Sequence, residues 1–170
     1  MPQERLRGER VTLRPLEAAD APRLAEIAAE PEVARWWLGL NDQDILEKVG
    51  PDEDALVFAV EFDRELIGLV QAGEEPDPDY RHASVDLFLG TAWHGQGLGA
   101  DSVRTLARWL FEDRGHHRIT IDPAVANTRA ISSYERVGFK RVGVMRRYER
   151  GADGEWHDGL LLDLLPEDLR

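Results

Sequence analysis

Three glycines at alternate positions in Trp93-His94-Gly95-Gln96-Gly97-Leu98-Gly99-Ala100 give this chain its clearest chance of chemistry. A glycine-rich turn between a strand and a helix aims several backbone N–H groups at one spot, where the helix dipole also favours negative charge. Glycine lets that backbone approach a ligand with no side chain intervening. Such a turn can cradle a pyrophosphate, and it lacks the Gly-Lys-Ser/Thr ending of a nucleotide-hydrolysing phosphate loop. The same spacing also suits a tight strand-to-helix turn without a ligand, and the loop alone does not choose between the two. The chain has no cysteine, which removes thiolate nucleophiles, disulfides and cysteine-based zinc sites. Catalysis then falls to oxygen, imidazole or backbone groups. His116-His117 have no metal-ligand partner at useful spacing and read as exposed strand-entry residues, so no metal is expected.

The glycine loop needs a strand before it and a helix after it. Ala83 to Leu89 supplies the strand, and Leu98, Val103, Leu106, Leu110 and Phe111 recur on one side of a long amphipathic run. Downstream, Arg118 to Asp122 reads as a strand, Asn127 caps a helix running to about Val137, and Gly138 ends it as a left-handed cap. Upstream, Val11 to Leu16 alternates into a proline as a first strand. Asp20 is expected to cap a helix over Ala21 to Ala29, with Pro22 in its first turn and Pro31 ending it. A short helix follows Asn41, and Leu56 to Phe62 and Leu66 to Gln71 form a hairpin about Asp63-Arg64-Glu65. Gly73 to Asp79 is a polar, proline-broken loop rich in carboxylates. The tail reads as another hairpin, Lys140 to Glu149 and Trp156 to Leu164, turning at Gly151 to Gly154. Hairpins followed by strand-helix-strand-helix predict a mixed α/β sheet with helices on its faces.

Composition narrows the partners. At 170 residues and 42% hydrophobic content, the chain supports one core, read as a single domain over residues 1–170. Its formal charge of −12 repels phosphate backbones and anionic lipid, so neither nucleic acid nor a membrane surface is an expected partner. The same charge would attract a polycation, and it also serves solubility. The opening Met-Pro-Gln-Glu-Arg carries no apolar leader, and no stretch approaches the roughly 20 apolar residues of a membrane span. A cytoplasmic protein is expected, as a monomer or homodimer.

Downstream of the glycine loop stands Asn127-x-x-Ala130-Ile131-x-x-Tyr134-Glu135-x-x-Gly138-Phe139. The two segments together resemble the signature motifs of the GNAT superfamily of N-acetyltransferases. The resemblance covers nearly the whole chain in element order. It implies acetyl-coenzyme A as co-substrate and a twisted, mostly antiparallel sheet in which two parallel strands splay apart to admit the pantetheine arm. It places the pyrophosphate on the loop from His94 and Gly95 through Gln96, Gly97, Leu98, Gly99 and Ala100, and the arm against Asn127 and Ala130, while strand N–H groups at Leu87, Phe88 and Leu89 could donate to the thioester carbonyl oxygen as charge develops on it. His94 departs from the Arg or Gln usual at its position and is read as a surface residue. Tyr134 is implied to stand near the coenzyme sulfur. A phenol of pKa about 10 can hand a proton to a thiolate of pKa about 8.5 at a cost of about 2 kcal/mol.

An ammonium acceptor must lose a proton before it attacks the thioester, and Asp86 is the first candidate base, since aspartate is disfavoured inside a strand as apolar as Val85 to Leu89. Asp122, at a strand end before Pro123, is the second, and it also reads as a turn aspartate. Val33-Ala34-Arg35-Trp36-Trp37, Asp86, and Asp122-Pro123 ahead of Asn127-x-Arg129-Ala130-Ile131 are similar to the aminoglycoside 6′-N-acetyltransferases. That likeness implies that Asp86 activates the 6′-amine and Asp122 holds the aminoglycoside. One of Trp36 and Trp37 is expected in the core and the other, Trp37, on the cleft, because adjacent residues on a helix cannot both face inward. Glu74 and Glu75 could extend an acidic wall toward a polycation, although a solvated loop accounts for them too. Two other functions fit parts of the pattern: a ribosomal-protein N-terminal acetyltransferase, and a non-catalytic acyl-coenzyme A-binding regulatory module.

Overall fold

The computed structural model describes residues 4–50 and 55–170; the opening residues 1–3 lie outside them. Among the described residues eight strands form one sheet: β1 (Leu6–Arg7), β2 (Val11–Pro15), β3 (Ala55–Phe62), β4 (Glu65–Glu74), β5 (Ala83–Leu89), β6 (Ile119–Ile121), β7 (Lys140–Arg150) and β8 (Trp156–Leu164), in the order β1-β2-β3-β4-β5-β6-β8-β7. All neighbours are antiparallel except β5 and β6. Helices α1 (Ala21–Ala28), α2 (Pro31–Ala34) and α3 (Asp42–Leu46) cover one face, and α4 (Leu98–Glu112) and α5 (Thr128–Val137) the other. Because both faces are covered, β3 is apolar almost throughout: Phe58 and Val60 enter the core under α4 while Val57 and Ala59 enter the core under α1.

Local chemistry accounts for the boundaries. Asp63 and Arg64 both sit at positive φ, 50° and 65°, forming the two-residue β3–β4 turn whose twist matches its strands. Asn41 caps α3 by accepting from the Gln43 and Asp44 amides. Gly138, at φ 119°, closes α5, and a Cβ there would meet the Asp168 carbonyl at 2.0 Å.

Three expectations are corrected. Asp20 makes no side-chain cap on α1; its carboxylate is engaged by the Arg14 guanidinium at 2.7 Å through both oxygens and by the Glu17 amide. A bidentate arginine partner outcompetes a helix amide. Pro31 opens α2 rather than ending α1, since a first helical turn needs no proline N–H. His116 is buried, only 3% exposed: its Nε2 meets Glu74, which also takes the Arg114 guanidinium.

One long-range tie fixes the first strands. Asp101, buried in the first turn of α4, accepts from the amides of Glu9, Arg10 and Val11 at 2.9–3.1 Å. Arg10 then donates to the Gln96 carbonyl.

Candidate active site

The parallel strands β5 and β6 pair only at Ala83–Ile119 and Ser84–Thr120. Beyond Ser84 they part, and a cleft of about 410 Å3 opens between them, bounded by the glycine loop, α5 and the Trp36–Trp37 turn. Strand alternation decides what β5 offers to it. The Ala83 amide donates across to β6 and the Gly90 amide back toward β4, so the N–H and C=O groups of Leu87 and Leu89 face the gap. Trp37 Nε1 donates to the Leu87 carbonyl at 3.0 Å, and His94 Nε2 donates to the Leu89 carbonyl at 2.8 Å. The Leu87 amide is taken by Asp86 Oδ1 at 2.9 Å, and the Leu89 amide is aimed the same way as the Leu87 one.

The glycine loop has the form a pyrophosphate needs. Gly95 and Gly97 stand at φ 75° and 79°, and a Cβ on either would project into open space. Gly97 is the N-cap of α4, so the amides of Leu98, Gly99 and Ala100 find no acceptor within the helix. His94, Gly95, Gly97, Leu98 and Gly99 line the cleft; Gln96 and Ala100 share the turn without lining it. His94 is not on the surface, because its ring is half-buried against the end of β5, with Nδ1 enclosed and unpartnered among the described residues. Leu87, Phe88, Leu89, Asn127, Ala130 and Tyr134 also line the cleft. Asn127 caps α5 through its Oδ1, at 3.4 Å from the Ala130 amide.

Carboxylates gather at the other end. Asp86 lies open to solvent but deep in the cleft, and desolvation pushes its carboxyl up to about 7; the Leu87 amide and Lys48 oppose this, and Asp122 and Glu149 reinforce it. Burial also raises Glu149, with Asp122 adding to the effect. Asp122 accepts a 2.7 Å hydrogen bond from the Tyr148 hydroxyl, which is thereby pushed up to about 12. Tyr134 is buried, and burial first, then Asp86 and Asp122, raise its phenol well above the usual range. That makes it a weaker acid than an exposed tyrosine and a group that keeps its proton until a strong acceptor forms beside it. The same dry surroundings raise a thiolate's proton affinity.

Both tryptophans line the cleft. They lie past the end of α2 in a turn, where the helical rule against two adjacent inward residues does not operate. Trp37 also stacks edge-on against Phe88 at 5.1 Å. Glu74 and Glu75 are not brought here: Glu74 is bound to Arg114 and His116, and Glu75 accepts from the Asp77 amide. Glu149 and Tyr148 were missed by sequence reasoning. They sit on β7, where a bulge between Met145 and Glu149, with Arg147 at φ 49°, shifts the register. Gly159 on β8 makes room for the Tyr148 ring, which a Cβ would meet at 2.8 Å. No spacing in the sequence signals a contact made through a bulge.

Comparison with known proteins is consistent with this geometry. The family model described as an acetyltransferase (GNAT) domain matches residues 10–140. The aminoglycoside N(6′)-acetyltransferase type 1 of Klebsiella pneumoniae is 31% identical over 158 residues, covering 81% of this chain and 78% of the relative. The [ribosomal protein uS5]-alanine N-acetyltransferase of Escherichia coli (strain K12) is 24% identical over 184 residues, covering 99% and 94%. The solved structure of AAC(6′)-Ib in complex with paromomycin and acetyl-CoA superposes with a TM-score of 0.76 at 27% identity, covering 94% of this chain and 96% of that one.

Proposed function

The chain belongs to the acetyltransferase (GNAT) family, and we propose that it moves an acetyl group from acetyl-coenzyme A directly onto the 6′-amine of an aminoglycoside. One observation carries the acceptor reading: Asp86, Asp122 and Glu149 all line the cleft where it opens beyond the splayed strands, and the charge of Asp122 raises the carboxyls of both Asp86 and Glu149. Like charges crowded in this way are relieved by a ligand bearing several ammonium groups. The 31% identity to an aminoglycoside N(6′)-acetyltransferase supports the same acceptor.

The chemistry then follows from the chain's own groups. The amides at the N-terminus of α4 hold the coenzyme's pyrophosphate, and the gap after Ser84 admits its arm. The bound coenzyme supplies an acetyl thioester. Asp86 takes a proton from the acceptor ammonium and frees its lone pair for attack on the acetyl carbon. The Leu89 amide faces the carbonyl oxygen, where negative charge develops. Tyr134 gives its proton to the departing sulfur as the C–S bond breaks, and the second proton that the nitrogen sheds on becoming an amide restores the phenol. Asp122, fixed by Tyr148, orients a second ammonium.

Full-length coverage by the uS5-alanine relative favours a second reading, acetylation of a ribosomal-protein N-terminal alanine. Release of free coenzyme A with kanamycin, tobramycin, spermidine and an alanine-initiated peptide separates the two. Turnover on aminoglycosides with a 6′-amine and none on 6′-hydroxyl analogues is expected. Turnover on the peptide alone would replace the first reading with the second.

A further inference from the structure

The acceptor end of the cleft does not stop at Asp122. Trp36, Ala124 and Glu149 are shared with a second recess of about 660 Å3, bounded by the β7–β8 hairpin and the loop after β6. Its floor is knit by backbone bonds: Ala124 bridges to Gly159, the Val125 amide donates to the Asp158 carbonyl at 2.9 Å, and the Leu160 amide donates to Pro123 at 2.8 Å. Its far rim is pinned by the Asp153–His157 pair at 2.9 Å. The recess is therefore formed before anything binds, which lowers the entropic cost of filling it.

Its lining combines two chemistries. Trp156 is 60% exposed and Val125 39% exposed, and both face the recess together with Trp36, which carries Arg35 stacked over its ring at 4.6 Å. Exposed indole and aliphatic surface favours a ligand with flat C–H faces. Glu149 and Asp158 add carboxylates that favour an ammonium, as does the exposed indole of Trp156, and these outnumber the Arg35 guanidinium that already covers the Trp36 ring.

We propose that this recess holds the ring of the acceptor farthest from the reacting amine, an amino-sugar linked to the two rings seated nearer Asp86 and Asp122. The inference rests on the aminoglycoside reading above and deepens it. Glu149, lining both spaces, marks the boundary between the near rings and the far one, and Trp156 selects three-ring over two-ring acceptors.

Neamine and kanamycin B test this, since they share the two rings around the 6′-amine and differ by the third. With the wild-type protein, kanamycin B is expected to have the lower KM. Trp156→Ala removes an exposed side chain and should lower kcat/KM for kanamycin B about tenfold, a loss of about 1.4 kcal/mol, mainly through KM. Neamine turnover should stay within about twofold. Ala126→Trp, which puts an indole into the recess at another lining position, should do the same. Equal losses on both acceptors, or none on either, would overturn the recess assignment while leaving the acceptor class intact. Failure of the wild-type protein to acetylate either compound would overturn the acceptor class and the recess with it.

Discussion

Asp86 stands among the apolar residues of β5 with its carboxyl pushed up to about 7 by desolvation, the range that suits the base the proposed reaction needs near neutral pH. Since only the carboxylate can accept a proton, kcat/KM should climb with pH below about 7 and level off above it. Asp86→Asn should remove that limb and cost about 10²- to 10⁴-fold in kcat. The same residue sets a stability term of opposite sense. Its folded pKa lies above the unfolded value of 3.8, so the folded state binds more protons and stability declines as pH rises from the carboxylate range toward neutrality. Asp86→Asn should therefore stabilise the protein at pH 8 and not at pH 3.5. Solvent in the open cleft limits the gain to about 1 kcal/mol, or roughly 2–4 °C in Tm by calorimetry. Tyr134→Phe should lower kcat about 10²-fold while leaving acetyl-coenzyme A binding by titration calorimetry unchanged.

Among the elements, the glycine loop makes the sharpest prediction. Gly97 holds φ 79° at the head of α4 with open space where a Cβ would lie. Gly97→Val combines left-handed strain of about 1–2 kcal/mol with a side chain in the cradle. It should raise the KM for acetyl-coenzyme A at least about tenfold and leave the KM for the acceptor little changed. Such elements were legible in the sequence because their signals are local: alternation in Ala83 to Leu89, the Asn127 cap, the Gly138 stop, and glycines that only a tight turn requires. Where the sequence reading failed, distant partners had intervened. Arg14 took Asp20 from its cap, Glu74 drew His116 inward, and the β7 bulge set Tyr148 against Asp122 across 26 positions. The paired carboxylates could be guessed because an aspartate inside an apolar strand is anomalous, whereas Glu149 on an edge strand is not.

For the molecule as a whole, the Glu74–His116–Arg114 cluster links β4 to the segment after α4, away from the cleft. Burial holds His116 below its ordinary pKa, and Glu74, where hydrogen bonds from Arg114 and His116 outweigh the opposing effect of burial, is also lowered. Both shifts mean that the unfolded chain binds more protons, so stability is lost as pH falls through about 6.5 and again through the carboxylate range. His116→Ala should cost about 1–3 kcal/mol at pH 8, less at pH 5, in urea titrations followed by fluorescence, with coenzyme binding intact. The Asp101 tie acts on a different axis, that of time. Its three hydrogen bonds join residues 90 to 92 positions apart, and contacts so distant in sequence carry a large loop-closure entropy cost. We expect the clamp on the glycine loop to close after the folding barrier, so that a refolding chain passes that barrier before it can hold the coenzyme. Acetyl-coenzyme A should slow unfolding without hastening refolding, so it would guard the finished enzyme rather than help build it.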